Sequence, residues 1–280
     1  MIKNICVAGA GTMGSGIALA AAQNNYSVTL FDTNENVLNN AKTSINKNLD
    51  FLVEKNKITF EERMAILNNI HFSHSINECK ADLIIEAIIE KEDAKIGLFQ
   101  QLTSINSAAC IFASNTSSLS ITSLQKRIDH PERVAGMHFF NPAQIMKLVE
   151  VVKGEQTTDE TAQTLMDVCM KLKKMPVLCI DAPGFIVNRV ARHYYLEAMN
   201  LVENKMATIE SVDELMEASG FKMGPFKLMD LIGMDINLAV SQSLYDAFDH
   251  APRFKPSSLQ IQKVKEGELG KKTGKGFYQY

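Results

Sequence analysis

Residues 137–150, Met-His-Phe-Phe-Asn-Pro-Ala-Gln-Ile-Met-Lys-Leu-Val-Glu, hold the parts of a proton-transfer site. His138 stands near the end of a largely apolar run, Val134 to Phe140, which Asn141-Pro142 breaks. A second apolar run, Leu148 to Val152, carries Glu150 between Val149 and Val151. Read as strands, the two runs put a histidine at one strand end, a carboxylate on the neighbouring strand and an amide beside the histidine. A carboxylate can hold the far N–H of an imidazole, which leaves the near nitrogen to take or give a proton. The same residues also suit a core histidine bonded to a surface glutamate, and alone they leave both readings open. The beginning of the chain weighs toward chemistry.

Ile5-Cys6-Val7-Ala8 is a short apolar strand, followed at once by Gly9-Ala10-Gly11-Thr12-Met13-Gly14 and by a helical stretch from Ser15 to Gln23. A second strand, Ser27 to Phe31, ends at Asp32. A G-x-G-x-x-G is a weak signal alone, but between a strand and a helix, with an acid closing the next strand, it has the context that dinucleotide binding needs. Gly9 allows the tight turn, Gly11 lets the backbone approach a pyrophosphate, and Gly14 lets helix and strand pack closely. The pyrophosphate would rest on the helix N-terminus, where N–H groups point outward. Asp32 would accept hydrogen bonds from the adenosine ribose and repel a 2′-phosphate, and no Arg follows it. NAD is therefore expected over NADP. The competing reading is a Gly-rich turn in an unrelated parallel sheet.

The chain has 280 residues, 46% of them hydrophobic, which suffices for one large or two ordinary domains. A net charge of −3 gives no reason to expect nucleic acid or an anionic membrane as partner. No apolar run is long enough to span a bilayer. The first strand begins at residue 2 or 3, leaving no room for a signal or transit peptide, so a cytoplasmic protein is expected. Five cysteines, Cys6, Cys79, Cys110, Cys169 and Cys179, are widely spaced without a C-x-x-C. They read as buried reduced thiols, and no metal site is expected. The 14 methionines read as fillers of core gaps.

Helices are expected over Val37 to Lys55, from Thr59-Phe60-Glu61-Glu62 onward, over Lys91 to Ser104 and over Glu160 to Lys173. Strands are expected over Ala81 to Ile89, Cys110 to Ala113, Val134 to Phe140, Leu148 to Val152 and Pro176 to Ile180. Strands alternating with helices predict an α/β fold: a Rossmann-type, doubly wound, mostly parallel sheet covered on both faces. After Asp181-Ala182-Pro183-Gly184 the pattern becomes helical, beginning with Phe185 to Asn204. The expected organisation is an NAD-binding domain over 1–184 and a smaller all-helical domain over 185–280, with Leu228, Leu231 and Ile232 in its core.

Ligands of such sheets bind beyond the carboxyl ends of the strands. The Gly-rich turn, Glu90-Lys91, Asn115 with Ser117, and His138 to Asn141 all fall there. Each alone suits an ordinary turn. Their coincidence is the stronger signal.

Together these pieces resemble the L-3-hydroxyacyl-CoA dehydrogenases, especially the short bacterial 3-hydroxybutyryl-CoA dehydrogenase type. The likeness runs through Val7 to Gly14, Glu86-Ala87-Ile88-Ile89-Glu90, Ser114-Asn115-Thr116-Ser117-Ser118-Leu119, His138 to Pro142 and Leu148 to Val152. It continues through Pro183 to Arg189, Met223-Gly224-Pro225-Phe226 and Gly274-Lys275-Gly276-Phe277-Tyr278. It implies His138 as catalytic base oriented by Glu150, with Ser117 and Asn188 holding the substrate oxygen and Asn141 supporting them. It implies a cofactor site at Gly9, Gly11, Thr12, Met13, Gly14, Asp32 and Asn141, with Glu90, Lys95, Asn115 and Ser117 toward the nicotinamide. Lys55 falls where relatives meet the CoA nucleotide. The resemblance further implies an acyl-CoA thioester substrate and a homodimer formed through the helical domain. Three departures stand out: Lys91 for a usual Asn, His193 for a usual Pro, and Asn204 for a common Gly, where Asn would tolerate a left-handed backbone. Competing readings are a dehydrogenase of a free hydroxy or sugar acid and a relative that binds NADH without turnover. A β-hydroxyacid dehydrogenase would rely on a Lys, which His138-x-x-Asn141-Pro142 argues against.

Overall fold

The computed structural model describes residues 2–280, which fall into two units meeting at Ala182 and Pro183. Gly184 belongs to the second unit, where its carbonyl accepts the Arg189 N–H at 3.2 Å and starts the first helix there.

In the first unit, apolar runs become strands, the central ones buried on both faces. These are β1 (Asn4–Ala8), β2 (Ser27–Phe31), β3 (Ile70–Ser73), β4 (Leu83–Glu86), β5 (Ile111–Ser114), β6 (Val134–Phe139), β7 (Leu148–Lys153) and β8 (Met175–Ile180). They form one sheet in the order β3-β2-β1-β4-β5-β6-β7-β8. Every pairing is parallel except β6 with β7. All four residues of β4 are buried, as expected of a strand covered on both faces. β8 is an edge strand and largely exposed, with Pro176 tolerated there because an edge N–H can be spared from the ladder.

The helices of this unit are α1 (Thr12–Ala22), α2 (Glu35–Glu54), α3 (Phe60–Asn68), α4 (Glu92–Ile105), α5 (Ile121–Gln125) and α6 (Asp159–Lys171). α1 is buried from Gly14 to Ala22, its small side chains letting it lie close on the sheet. α2 buries only Leu38, Ala41, Ile45 and Leu49, three or four residues apart, so a single stripe faces the core. α3 opens with a capping box between Thr59 and Glu62, the start marked by its sequence.

Several boundaries differ from expectation for local reasons. β4 stops at Glu86 because that carboxylate accepts the Ile88 N–H at 2.7 Å and turns the chain. β3 and α5 were not expected. Ile70-His71-Phe72-Ser73 is too short to show a period and becomes a strand by pairing with β2, and α5 spans only five residues. All five cysteines are buried thiols. The methionines are not uniformly core fillers: Met64, Met146, Met170, Met175 and Met206 are exposed.

The second unit contains α7 (Val187–Glu203), α8 (Ile209–Ala218), α9 (Pro225–Ile232), α10 (Met234–Ala247) and α11 (Ser258–Lys265). Its core gathers Tyr195, Met199, Phe226, Met229 and Met234. Leu228 packs against that core, but Leu231 and Ile232 are exposed, since the face that α9 buries carries Pro225, Phe226, Met229 and Asp230. α7 runs unbroken through His193. Asn204 keeps a negative φ of −84°, and the left-handed residue that ends the helix is Lys205 at φ 56°. The tail returns onto Asp230, whose carboxylate accepts the backbone N–H groups of Phe277 and Tyr278 at 2.9 Å each.

Two glycines set the fingerprint. Gly9 has φ +106°, and a Cβ there would meet the Ala87 carbonyl oxygen at 2.6 Å. A Cβ on Gly14 would lie 1.7 Å from the Gly9 carbonyl oxygen, whereas one on Gly97, inside α4, meets nothing within 4 Å. Gly14→Ala is therefore expected to destabilise by at least ~3 kcal/mol, the upper range for overpacking. Gly97→Ala is expected to stabilise by ~0.5–1 kcal/mol through helix propensity. Chemical denaturation of the two variants checks both signs.

Candidate active site

The strand register assembles the site. Ala8 pairs with Glu86, Glu86 with Ser114 and Ser114 with Gly136, so β1, β4, β5 and β6 bring their carboxyl ends side by side. The chemistry-bearing residues follow those ends directly.

At the end of β1, the turn is held from below by Asp32. Its Oδ2 accepts the Ala10 N–H and its Oδ1 the Asn34 N–H, each at 2.9 Å. The turn thus keeps its shape through the acid at the end of β2. α1 begins at Thr12 with Gly11 at its cap position. No side chain caps it and no acid lies in its first turn, the arrangement an anion prefers at a helix N-terminus. A Cβ on Gly11 would meet nothing within 4 Å, so a phosphate can approach the backbone there. The residues present fit a dinucleotide. Gly11, Thr12, Ser15, Asn48, Asn141 and Gln144 help to line a cleft of about 470 Å³ beside this turn. Met13 instead packs its side chain against the apolar core, leaving only its backbone to the turn.

At the ends of β4 and β5, Glu90 organises a polar loop. Its Oε1 accepts the Thr116 hydroxyl at 2.5 Å, the Ser117 N–H at 2.9 Å, and the Ser118 N–H and hydroxyl at 3.2 and 3.1 Å. Its Oε2 meets the Lys95 ammonium at 3.1 Å. Burial pushes the Glu90 carboxyl up, but the Lys95 charge and the Thr116 and Ser117 donors outweigh it and hold it below its ordinary value. Lys95 is 1% exposed and its ammonium lies 2.6 Å from Glu86. Asn115 ties β5 to β6, its Oδ1 accepting the Phe139 N–H at 2.8 Å.

At the end of β6 the sheet reverses. His138 is the register partner of Glu150 on antiparallel β7, and Nδ1 lies 2.8 Å from Oε2. The two are 6% and 1% exposed. The bland expectation of a surface glutamate is excluded, because Glu150 sits inside the sheet. Asn141 follows, exposed, on the wall of the cleft. Lys55 is exposed at the end of α2, its ammonium 5.6 Å from the Phe51 ring, and is not among the residues lining the cleft. Asn188 is the second residue of α7 in the helical unit.

Sequence reasoning missed Glu86. It read as an acid interrupting an apolar strand, although a charge flanked by Ile85 and Ala87 requires a buried cation. Lys174 was missed as well. It is buried and donates to the Ala143 and Met146 carbonyls at 2.7 and 2.8 Å, pinning the loop between β6 and β7. Among the described residues no group of three or more His, Cys, Asp or Glu side chains is placed to hold a metal ion, and no helix is long and apolar enough to cross a membrane.

A fingerprint turn closed by an acid and a buried His–Glu pair at the same sheet edge define an NAD-dependent dehydrogenase. The profile of the 3-hydroxyacyl-CoA dehydrogenase NAD-binding domain matches residues 4–182, and that of the C-terminal domain of the same enzymes matches 184–280. The chain belongs to the 3-hydroxyacyl-CoA dehydrogenase family. It is 41% identical over its whole length to a probable 3-hydroxybutyryl-CoA dehydrogenase of Bacillus subtilis (strain 168), covering 98% of that protein. It is 43% identical to the 3-hydroxyadipyl-CoA dehydrogenase of Escherichia coli (strain K12), of whose length it spans only 59%. The crystal structure of (S)-3-hydroxybutyryl-CoA dehydrogenase from Ralstonia eutropha superposes with a TM-score of 0.95 at 37% identity, with 100% of this chain and 99% of that one covered.

Because the Glu90 carboxyl is held below its ordinary value, its anchoring of residues 116–118 is fully present above about pH 4.5 and is lost as pH falls through the folded value. Thermal melts between roughly pH 5 and pH 3 are expected to show a steeper loss of stability for the parent protein than for Glu90→Gln, which lacks that titration. Parallel profiles would remove the anchoring role.

Proposed function

We propose that this chain interconverts (S)-3-hydroxyacyl-CoA and 3-oxoacyl-CoA, on short acyl chains of the 3-hydroxybutyryl type, with His138 as the proton-transferring base. The observation that carries the reading is the buried contact of 2.8 Å between His138 Nδ1 and Glu150 Oε2. A carboxylate at that distance requires a proton on Nδ1, which fixes the tautomer and directs Nε2 to proton exchange. NAD supplies the acceptor for the hydride on C3 when bound.

In the oxidising direction His138 takes the hydroxyl proton, and Glu150 stabilises the imidazolium that develops, as the carboxylate does in hydrolytic triads. In the reducing direction His138 returns the proton to the 3-oxo group. The Ser117 hydroxyl and the Asn188 amide donate hydrogen bonds to the substrate oxygen, where negative charge builds. The Asn141 amide supports that geometry. Gly9, Gly11, Thr12, Met13 and Gly14 hold the pyrophosphate through the backbone, and Asp32 holds the adenosine ribose. Glu90, Lys95 and Asn115 act on the nicotinamide side, Lys95 through its contact with Glu90 because its own ammonium is buried. Lys55, exposed on α2, meets the CoA nucleotide.

Residence in the cytoplasm and a homodimer through the helical unit belong to the same proposal. The exposure of the large apolar side chains Leu215, Phe221, Leu231 and Ile236 on that unit supports the dimer, since a partner could cover apolar surface of this kind. The substrate class is supported by the names of the Bacillus subtilis and Ralstonia eutropha proteins, both of which the chain matches over nearly their full lengths.

Oxidation of NADH with acetoacetyl-CoA, run beside free acetoacetate and beside NADPH, tests the reaction. Turnover is expected only with the thioester and NADH. Equal turnover of free acetoacetate would place the chain among dehydrogenases of free acids. His138→Gln is expected to lower kcat by ~10²–10⁴ while NADH binding stays largely intact, because a general base contributes that much to rate. Turnover within a few-fold of the parent would remove His138 from the chemistry.

A further inference from the structure

Glu86 carries a charge that the proposed chemistry does not use. It is fully buried at the end of β4, between the Gly9 turn and the end of β5. Its Oε1 accepts the Lys95 ammonium at 2.6 Å and the Ile88 N–H at 2.7 Å, and its Oε2 accepts the Ser114 hydroxyl at 2.6 Å. Lys95 and the Ile88 N–H can only donate, and both converge on Oε1, while the Ser114 hydroxyl, which also accepts the Thr116 N–H at 3.2 Å, donates to Oε2. An ammonium and a backbone N–H on one oxygen and a hydroxyl on the other favour the charged form of the acid. The geometry therefore holds Glu86 as a carboxylate, although burial pushes its carboxyl above the ordinary range, with Lys95, Ser114 and Ile88 offsetting part of that rise.

Lys95 in turn contacts Glu90, which anchors the loop bearing Ser117. Two carboxylates thus share one ammonium, and the cluster keeps one net negative charge at the carboxyl edge of the sheet. A purely structural ion pair would be complete with one acid, and burying the second is costly.

We propose that Glu86 is a positioning residue that biases the site toward the oxidised cofactor. The nicotinamide ring is cationic in NAD⁺ and neutral in NADH, so a net negative cluster beside it stabilises the oxidised form selectively. This rests on the placement of Glu90 and Lys95 on the nicotinamide side proposed above. Glu86 acts by fixing Lys95 and by setting the sign of the cluster, not by touching the cofactor.

The test is binding to the purified protein without substrate. NADH is titrated by fluorescence, and NAD⁺ and ADP-ribose by competition. Glu86→Gln keeps the size of the side chain and removes its charge. The ratio of the NAD⁺ to the NADH dissociation constant is expected to rise on the order of tenfold, as for a unit charge acting across ~10 Å at an effective dielectric of ~20. The affinity for ADP-ribose, which lacks the nicotinamide, is expected to stay within about twofold, well inside that charge effect. Glu86→Gln combined with Lys95→Met restores the net charge of the parent cluster and is expected to restore the ratio. An unchanged ratio in Glu86→Gln, an equal shift in all three ligands, or a double variant that keeps the single variant's ratio would each overturn the proposal. If Glu86→Gln alone does not fold, the double variant decides, since it leaves no unpaired buried cation. A parental ratio supports the proposal, and a tenfold departure overturns it. Thioester turnover is not read in these titrations, so failure of the proposed reaction would appear separately, as a parent protein that binds both cofactor forms yet reduces no acetoacetyl-CoA.

Discussion

The pairing of His138 with Glu150 across β6 and β7 is the constraint around which the first unit is arranged. A carboxylate that is 1% exposed needs a partner for its charge, and a buried imidazole needs one for its N–H. Each supplies the other, but only at one register. A slip of a single residue along either strand would turn both side chains to opposite faces of the sheet. The surroundings hold that register. Asn115 fixes the Phe139 N–H, one residue past His138, and Lys174 ties down the carbonyls of the connecting loop. The reversal to antiparallel at this point lets a short connection return Glu150 directly opposite the histidine, which a parallel crossover would need a dozen or more residues to do.

A second group of charges stands beside the first. Glu86, Lys95 and Glu90 run from the buried end of β4 to the loop after β5, and each contact fixes a backbone segment as well as a charge. Glu86 shapes the turn that packs on Gly9, and Glu90 shapes the turn that carries Ser117. The fingerprint loop and the loop bearing Ser117 therefore share one electrostatic scaffold. The sheet makes this possible, because parallel neighbours bring successive carboxyl ends to one edge.

The helical unit is built differently. Its buried acids serve packing: Asp213 accepts the Phe226 and Lys227 N–H groups at the start of α9, and Asp230 receives the returning tail. Both carboxylates terminate backbone segments that would otherwise leave donors unpaired in the interior.

The sequence by itself determined the alternation of strand and helix, the fingerprint with its closing acid, and the identity of the histidine, glutamate, serine and asparagine of the proposed site. These are legible because apolar runs, a Gly-rich turn at fixed spacing and a capping box such as that of Thr59 and Glu62 are local in the chain. The family likeness rested on the same local words. Only the tertiary structure decided what depends on distant partners. β3 is a strand because β2 lies beside it, not because four residues show a period. Glu86 reads as an interruption until Lys95 arrives from the next helix to make it a buried ion pair. Exposed Leu231 and Ile232 look like core in one dimension, since their hydrophobicity says nothing of which helix face finds a neighbour. Lys205, not Asn204, takes the left-handed turn after α7, because the point where a helix stops is set by its packing as much as by the residue that tolerates the conformation. Residue types carry the chemistry, and register and burial decide which of them meet.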